Sequence, residues 1–125
     1  MIKGIHHISM KCKTSKELQR VKDFYIGVLG MKLRRQWDGG IMIDTSNGLI
    51  EVFCGEKGEH RKGVIRHVAF ETDDVDKTAE KVAQAGYEIF IQPNTRVIDS
   101  DPEYPLRMAF CYGPLGEEIE LFSEL

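Results

Sequence analysis

Four residues able to ligate a divalent ion or carry a proton stand inside apolar runs of this sequence: His7, Glu51, His67 and Glu120. His7 precedes Ile8-Ser9-Met10, Glu51 lies in Ile50-Glu51-Val52-Phe53, His67 precedes Val68-Ala69-Phe70, and Glu120 lies in Ile119-Glu120-Leu121-Phe122. An ionised carboxylate held among apolar neighbours is costly unless it is paired or coordinates a metal. Arg66 and Arg107 are the nearest candidate cations, whereas the two imidazoles offer neutral nitrogen donors. One metal ion satisfies all four groups at once. A set of two imidazoles and two carboxylates suits Zn, Ni, Co, Fe or Mn, with waters completing an octahedron, while calcium and magnesium favour an all-oxygen shell. Against this stands the plainer reading of a hydrogen-bonded structural histidine in a strand and a solvated glutamate at a sheet edge.

An internal repeat joins the four positions. The segment 4–10 lies over 64–70 at an offset of 60, histidine on histidine, and 50–53 lies over 119–122 at an offset of 69, glutamate on glutamate. The second half therefore carries about nine extra residues between its matching strands. Two halves related by approximate symmetry put equivalent positions near one axis, which favours the metal reading over the plainer one. His6 alternates to the opposite side of its strand and His60 lies in the polar stretch 55–63, so both are excluded as ligands.

The elements that must position these residues are legible in the same order in each half. Thr14-Ser15-Lys16-Glu17 reads as a capping box, followed by Leu18, Val21, Phe24, Tyr25 and Val28 at helical spacing until Gly30. Strand-like runs follow over 32–37, 41–45 and 49–54, punctuated by Gly39-Gly40 and the hairpin signal Asn47-Gly48. In the second half Asp73 or Asp74 caps a helix with apolar Val75, Ala79, Val82 and Ala85 that ends at Gly86. Strands are expected over 88–91, 107–112 and 118–122, with a proline-bearing loop from Pro93 to Pro105 that holds most of the extra residues. The expectation is an α+β fold of two tandem βαβββ modules, about 1–55 and 64–125, joined by a linker at about 56–63 in a single domain.

The totals limit the function classes. The chain has 125 residues, 42% apolar and 30% charged, which is one ordinary globular domain with a core. A net charge of −3 and scattered Lys and Arg give no footprint for nucleic acid. No apolar run approaches the roughly 20 residues that span a bilayer. The opening residues lack the apolar segment of a signal peptide, so a cytoplasmic protein is expected. Cys12, Cys54 and Cys111 are odd in number, far apart in sequence and outside any C-x-x-C pair, and read as reduced core thiols.

With these motifs assembled, the chain resembles the glyoxalase/bleomycin-resistance/dioxygenase group, the vicinal oxygen chelate superfamily, over essentially its whole length. The resemblance rests on His7-Ile8-Ser9-Met10, on Asp23-Phe24-Tyr25-Ile26-Gly27-Val28-Leu29-Gly30-Met31, on Arg66-His67-Val68-Ala69-Phe70, and on Gly113-Pro114-Leu115-Gly116 leading into Glu118-Ile119-Glu120-Leu121. It implies paired modules that form a cupped mixed sheet around a divalent metal. Glyoxalase I-like members use a His, Glu, His, Glu set, and those letters fall in order on His7, Glu51, His67 and Glu120. The implied reaction is that of a lactoylglutathione lyase: a proton moves between adjacent carbons of a hemithioacetal of a 2-oxoaldehyde such as methylglyoxal, through an enediolate, with Glu120 as base and Glu51 the second candidate. Lys11, Trp37, Arg107 and Tyr112 are expected to contact substrate. Glutathione-using relatives tend to carry Arg after the first His and Asn after the first Glu, where this chain has Lys11 and Cys54-Gly55, so a different thiol carrier is in view.

Four rivals share the resemblance. A methylmalonyl-CoA-type epimerase usually has Gln where Glu51 stands, an iron dioxygenase needs only two histidines and one carboxylate, and a fosfomycin-inactivating thiol transferase normally uses three ligands. A bleomycin-resistance-type drug-binding protein needs only an apolar pocket, for which Trp37, Met10, Met42, Tyr104, Phe110 and Tyr112 are available. A small-molecule substrate, no nucleic-acid or membrane partner, and a homodimer that covers the open sheet edges complete the expectation.

Overall fold

The computed structural model describes residues 1, 5, 7–55, 65, 67–98 and 102–125. His6, His60, Arg66, the expected linker over 56–63 and the tip of the expected loop at 99–101 lie outside the described residues. The chain divides into two compact units, Met1–Glu59 and His60–Leu125.

The first unit runs β1 (His7–Cys12), α1 (Ser15–Lys22), a π-helical continuation (Asp23–Val28), then β2 (Lys32–Trp37), β3 (Gly40–Asp44) and β4 (Leu49–Cys54). The hydroxyl of Thr14 accepts from the Glu17 amide at 3.1 Å, and the Glu17 carboxylate accepts from the Lys13 amide at 2.6 Å, so the expected cap forms. The helix widens where the Leu29 amide reaches back five residues to the Phe24 carbonyl, at 2.9 Å. The four strands form one sheet in the order β1-β4-β3-β2, with β1 parallel to β4 and the remaining pairs antiparallel.

Alternation divides this sheet into two faces. Cys12, Ile41, Ile43, Ile50 and Val52 are buried with Val21, Phe24 and Tyr25 of the helical segment, and α1 packs on β1 and β4. Each large apolar side chain so buried contributes about 1.5–3 kcal/mol relative to exposure. The other face carries His7, Ser9, Lys11, Met42, Leu49, Glu51 and Phe53, following the register Ser9↔Glu51↔Met42. Outer strand β2 is exposed along its length and carries Lys32, Arg34 and Arg35, charges that discourage edge-to-edge pairing.

The second unit repeats the plan with β5 (Val68–Glu71), α2 (Val75–Gln84), β6 (Ile89–Ile98), β7 (Tyr104–Tyr112) and β8 (Glu118–Glu124) in the order β5-β8-β7-β6, β5 parallel to β8. Asp74 is the cap, its carboxylate accepting from the Lys77 amide at 3.0 Å. Val75, Ala79 and Val82 bury against the face that holds Ala109, Cys111, Ile119 and Leu121. These are the two βαβββ modules of the expected α+β fold.

One expectation is corrected. Much of the stretch from Pro93 to Pro105 is strand rather than loop: β6 continues to Ile98 and its antiparallel partner β7 begins at Tyr104. Pro93 is tolerated because it sits on an outer strand, inside the register shift between Ile91 and Asn94, where a missing amide costs no ladder bond.

Candidate metal and proton-transfer residues

Within the first unit, β1 and β4 run side by side, and that parallel pairing puts His7 beside Glu51. His7 Nε2 is 3.7 Å from Glu51 Oε1, and the carboxylate side chain is 13% exposed. The same oxygen accepts a hydrogen bond from the Ser9 hydroxyl at 3.1 Å, Ser9 being the strand partner directly opposite. Sequence reading overlooked Ser9; its place two residues after His7 was the available signal, because alternate residues of one strand share a face.

The second unit builds the equivalent pair from β8 and the residue just before β5. His67 Nε2 is 3.1 Å from Glu120 Oε2, with the carboxylate 12% exposed. The residue opposite Glu120 is Ala69, so this carboxylate has no counterpart of the Ser9 hydroxyl. The ring of His67 instead stands edge-on to Phe110, centroids 5.1 Å apart.

Aromatic side chains accompany each pair. In the first unit Trp37 meets Phe53 edge-on at 5.7 Å, and Gly40 is what admits the indole: a Cβ there would run into the Trp37 ring and the Val52 carbonyl oxygen. In the second unit a bulge between Ile89 and Ile91 turns Phe90 toward Phe110 and Tyr112, and it stacks on Tyr112 at 4.3 Å. Neither Phe53 nor Phe90 was singled out from sequence. Lys11 lies on the Glu51 face and lines, with Ser9, Met10 and Phe53, a shallow hollow of about 340 Å³.

Arg107 is elsewhere. It occupies the helix-facing side of β7 and forms a two-pronged pair with Asp76 of α2, at 2.5 and 2.6 Å, with a third bond to Thr95 at 3.0 Å. This arrangement holds the Asp76 carboxyl below its usual range and raises Arg107, the side-chain hydrogen bonds between them being the leading cause of both. Its planar fork matches a carboxylate edge, and α2 presents one at the right height. Arg107 therefore joins helix to sheet rather than facing Glu120. Met10 pairs with Val52 and so alternates away from Glu51, although on outer strand β1 it still borders the Lys11 hollow.

Two donors bound at about 2.1 Å in adjacent positions of a divalent ion are about 3 Å apart. The His67–Glu120 separation of 3.1 Å matches that spacing, and 3.7 Å for His7–Glu51 is within a small rotation of it. Imidazole with carboxylate is a donor set for Zn, Ni, Co, Fe or Mn, so the residues fit such an ion. Among the described residues no three His, Cys, Asp or Glu side chains come together; the expected set is seen as two pairs, one in each unit. No helix among them is long and apolar enough to cross a membrane.

Residues 4–121 match the Glyoxalase/Bleomycin resistance protein/Dioxygenase superfamily. No curated protein matches the chain in sequence. Solved structures of similar fold include a glyoxalase family protein from Enterococcus faecalis, 20% identical, covering 97% of this chain and 98% of that one with a TM-score of 0.72. A glyoxalase/bleomycin resistance protein/dioxygenase from Alicyclobacillus acidocaldarius is 17% identical over 98% of this chain and 92% of that one, TM-score 0.71. A lactoylglutathione lyase from Agrobacterium tumefaciens is 12% identical over 98% and 94%, TM-score 0.66.

Proposed function

This chain belongs to the glyoxalase/bleomycin resistance protein/dioxygenase superfamily, and from that premise we propose that it is a metal-dependent lyase or isomerase of the glyoxalase type. Its substrate is a hemithioacetal of a 2-oxoaldehyde such as methylglyoxal with a thiol carrier. The observation that supports this reading is the repetition of one arrangement: in each unit a histidine imidazole stands within 3.7 Å of a glutamate carboxylate on the sheet face away from the helix.

His7, Glu51, His67 and Glu120 would hold the ion, one per site, whether one chain or two supply the four donors. A bound divalent ion supplies an electrophile that stabilises negative charge developing on substrate oxygen. Glu120 takes the proton from one carbon and returns it to its neighbour, because its carboxylate lacks the hydroxyl tether that fixes Glu51. Glu51, with Oε1 engaged by Ser9, serves to hold rather than to move. Trp37 and Phe53 on one sheet, and Phe90, Phe110 and Tyr112 on the other, shield polar groups from water and offer flat surfaces to substrate. Lys11 offers a cation to an acidic thiol carrier. The protein is a cytoplasmic homodimer in this reading, each chain a single domain of two modules with its linker near 56–63.

The aromatic faces would equally suit a drug-sequestering protein, so the test separates the two. Metal content is measured on protein purified without chelator, and hemithioacetal isomerisation is assayed on apo-protein reconstituted with Ni, Co, Mn, Zn or Fe. About one ion per site and metal-restored activity support catalysis. No bound ion and no restored activity sink it and leave the binding role.

A further inference from the structure

Cys12 and Cys54, separated by forty-two positions in the chain, are direct partners across the parallel strands β1 and β4. Cys12 is fully buried and Cys54 partly exposed, and both are unbridged thiols. Neighbouring strands lie about 4.7–4.9 Å apart. That spacing falls within the Cα separations of about 4.4–6.8 Å that a disulfide spans. Each cysteine is also the last residue of its strand, and Gly55, at φ +91°, follows immediately with its amide bonded to the Cys12 carbonyl at 3.0 Å. Strand ends can adjust their twist where a mid-strand pair could not. The third cysteine, Cys111, is buried in the other unit.

We propose that Cys12 and Cys54 form a reversible dithiol–disulfide site, in which Cys54 is the entry thiol and Cys12 the resolving one, and that its oxidant is a low-molecular-weight disulfide. The Cys54 thiolate attacks one sulfur of R–S–S–R and expels RS⁻, leaving Cys54 in a mixed disulfide. Cys12, as thiolate, then attacks the Cys54 sulfur, forms the Cys12–Cys54 bond and expels the second RS⁻. The two cysteines lose two electrons and two protons, and R–S–S–R becomes two RSH. Exposure assigns the order, since only Cys54 can meet an external sulfur. Resolution is the slow step at neutral pH, because burial raises the Cys12 thiol above its ordinary range and leaves little of it as thiolate.

The bond would pin β1 to β4 three residues beyond the Ser9–Glu51 hydrogen bond. It is a consequence of the first unit's own strand pairing and does not depend on the proposed reaction.

The test treats folded, reduced protein with glutathione disulfide and follows intact mass, then maps peptides without reduction. The expected product has lost two hydrogens, carries a Cys12–Cys54 link and returns to the starting mass with dithiothreitol. Cys12→Ala is expected to stop at one glutathionyl group on Cys54, and Cys54→Ser to remain unmodified. A wild-type protein that keeps a stable glutathionyl group on Cys54, stays unreacted, or links Cys54 to another chain overturns the proposal, and these three readouts need no variant to fold.

Discussion

The Ser9 hydroxyl donates to Glu51 Oε1 at 3.1 Å, while the residue in the same strand position of the second module, Ala69, gives Glu120 nothing. Two carboxylates placed by one repeated plan thus differ in freedom. Glu51 is fastened to its neighbouring strand, and Glu120 meets His67 with no hydroxyl on the strand residue opposite it.

Ser9→Ala should therefore loosen a ligand and leave the fold intact. Removal of a group that orients a ligand typically costs about 10–100-fold in metal affinity. Competition against a coloured chelator reads this directly. The converse change, Ala69→Ser, should tether Glu120 and lower kcat with metal affinity held; a fall in affinity with kcat unchanged would reverse the roles assigned to the two glutamates.

Glu120→Gln should keep the thermal unfolding transition and lose proton transfer, by roughly 10²–10⁴-fold in kcat for a positioned general base. Circular dichroism and the isomerase assay on the same preparation separate the two effects. Loss of activity together with the fold would remove the support for Glu120 as base.

Gly40→Ala should be destabilising out of proportion to one methyl group. The added Cβ would meet the Val52 carbonyl oxygen and the Trp37 ring, and backbone cannot yield as a flexible side chain does. Overpacking of this kind costs about 1–3 kcal/mol. A chemical denaturation curve measures it, and the change in tryptophan emission reports the displacement of Trp37 from Phe53.

Acid should weaken the second unit through α2. Asp74 is held below its usual range chiefly by the Lys77 amide, and Asp76 chiefly by hydrogen bonds from Arg107. A carboxyl depressed on folding contributes stability that is present above its unfolded pKa, near 3.9, and is lost as pH falls through the lower folded value. Thermal melts between neutral pH and about pH 3 should show the loss below about pH 4, and Asp76→Asn should reduce that pH dependence.

Much of this was legible because it is local. The repeat of His7 at His67 and Glu51 at Glu120, the capping box at Thr14, the cap at Asp74 and the βαβββ order are written in residue types and spacings, and short-range sterics and hydrogen bonds enforce them. Periodicity of two assigned Glu51 to a face opposite Ile50 and Val52, and the sheet follows that division.

Contacts between distant segments were not legible. Arg107 reads from sequence as a substrate contact, and only the docking of α2 shows that Asp76 awaits it on the helix side. Pro93 reads as a loop breaker until a register shift on an outer strand absorbs it. The sequence by itself determined the modules, their caps and the residue types of the site, since each depends on neighbours a few positions away. Tertiary structure alone decided that Ser9 fastens Glu51, that Phe90 meets Tyr112 and that Cys12 faces Cys54, because register between strands is set by the packing of a whole face, which no single stretch of chain encodes.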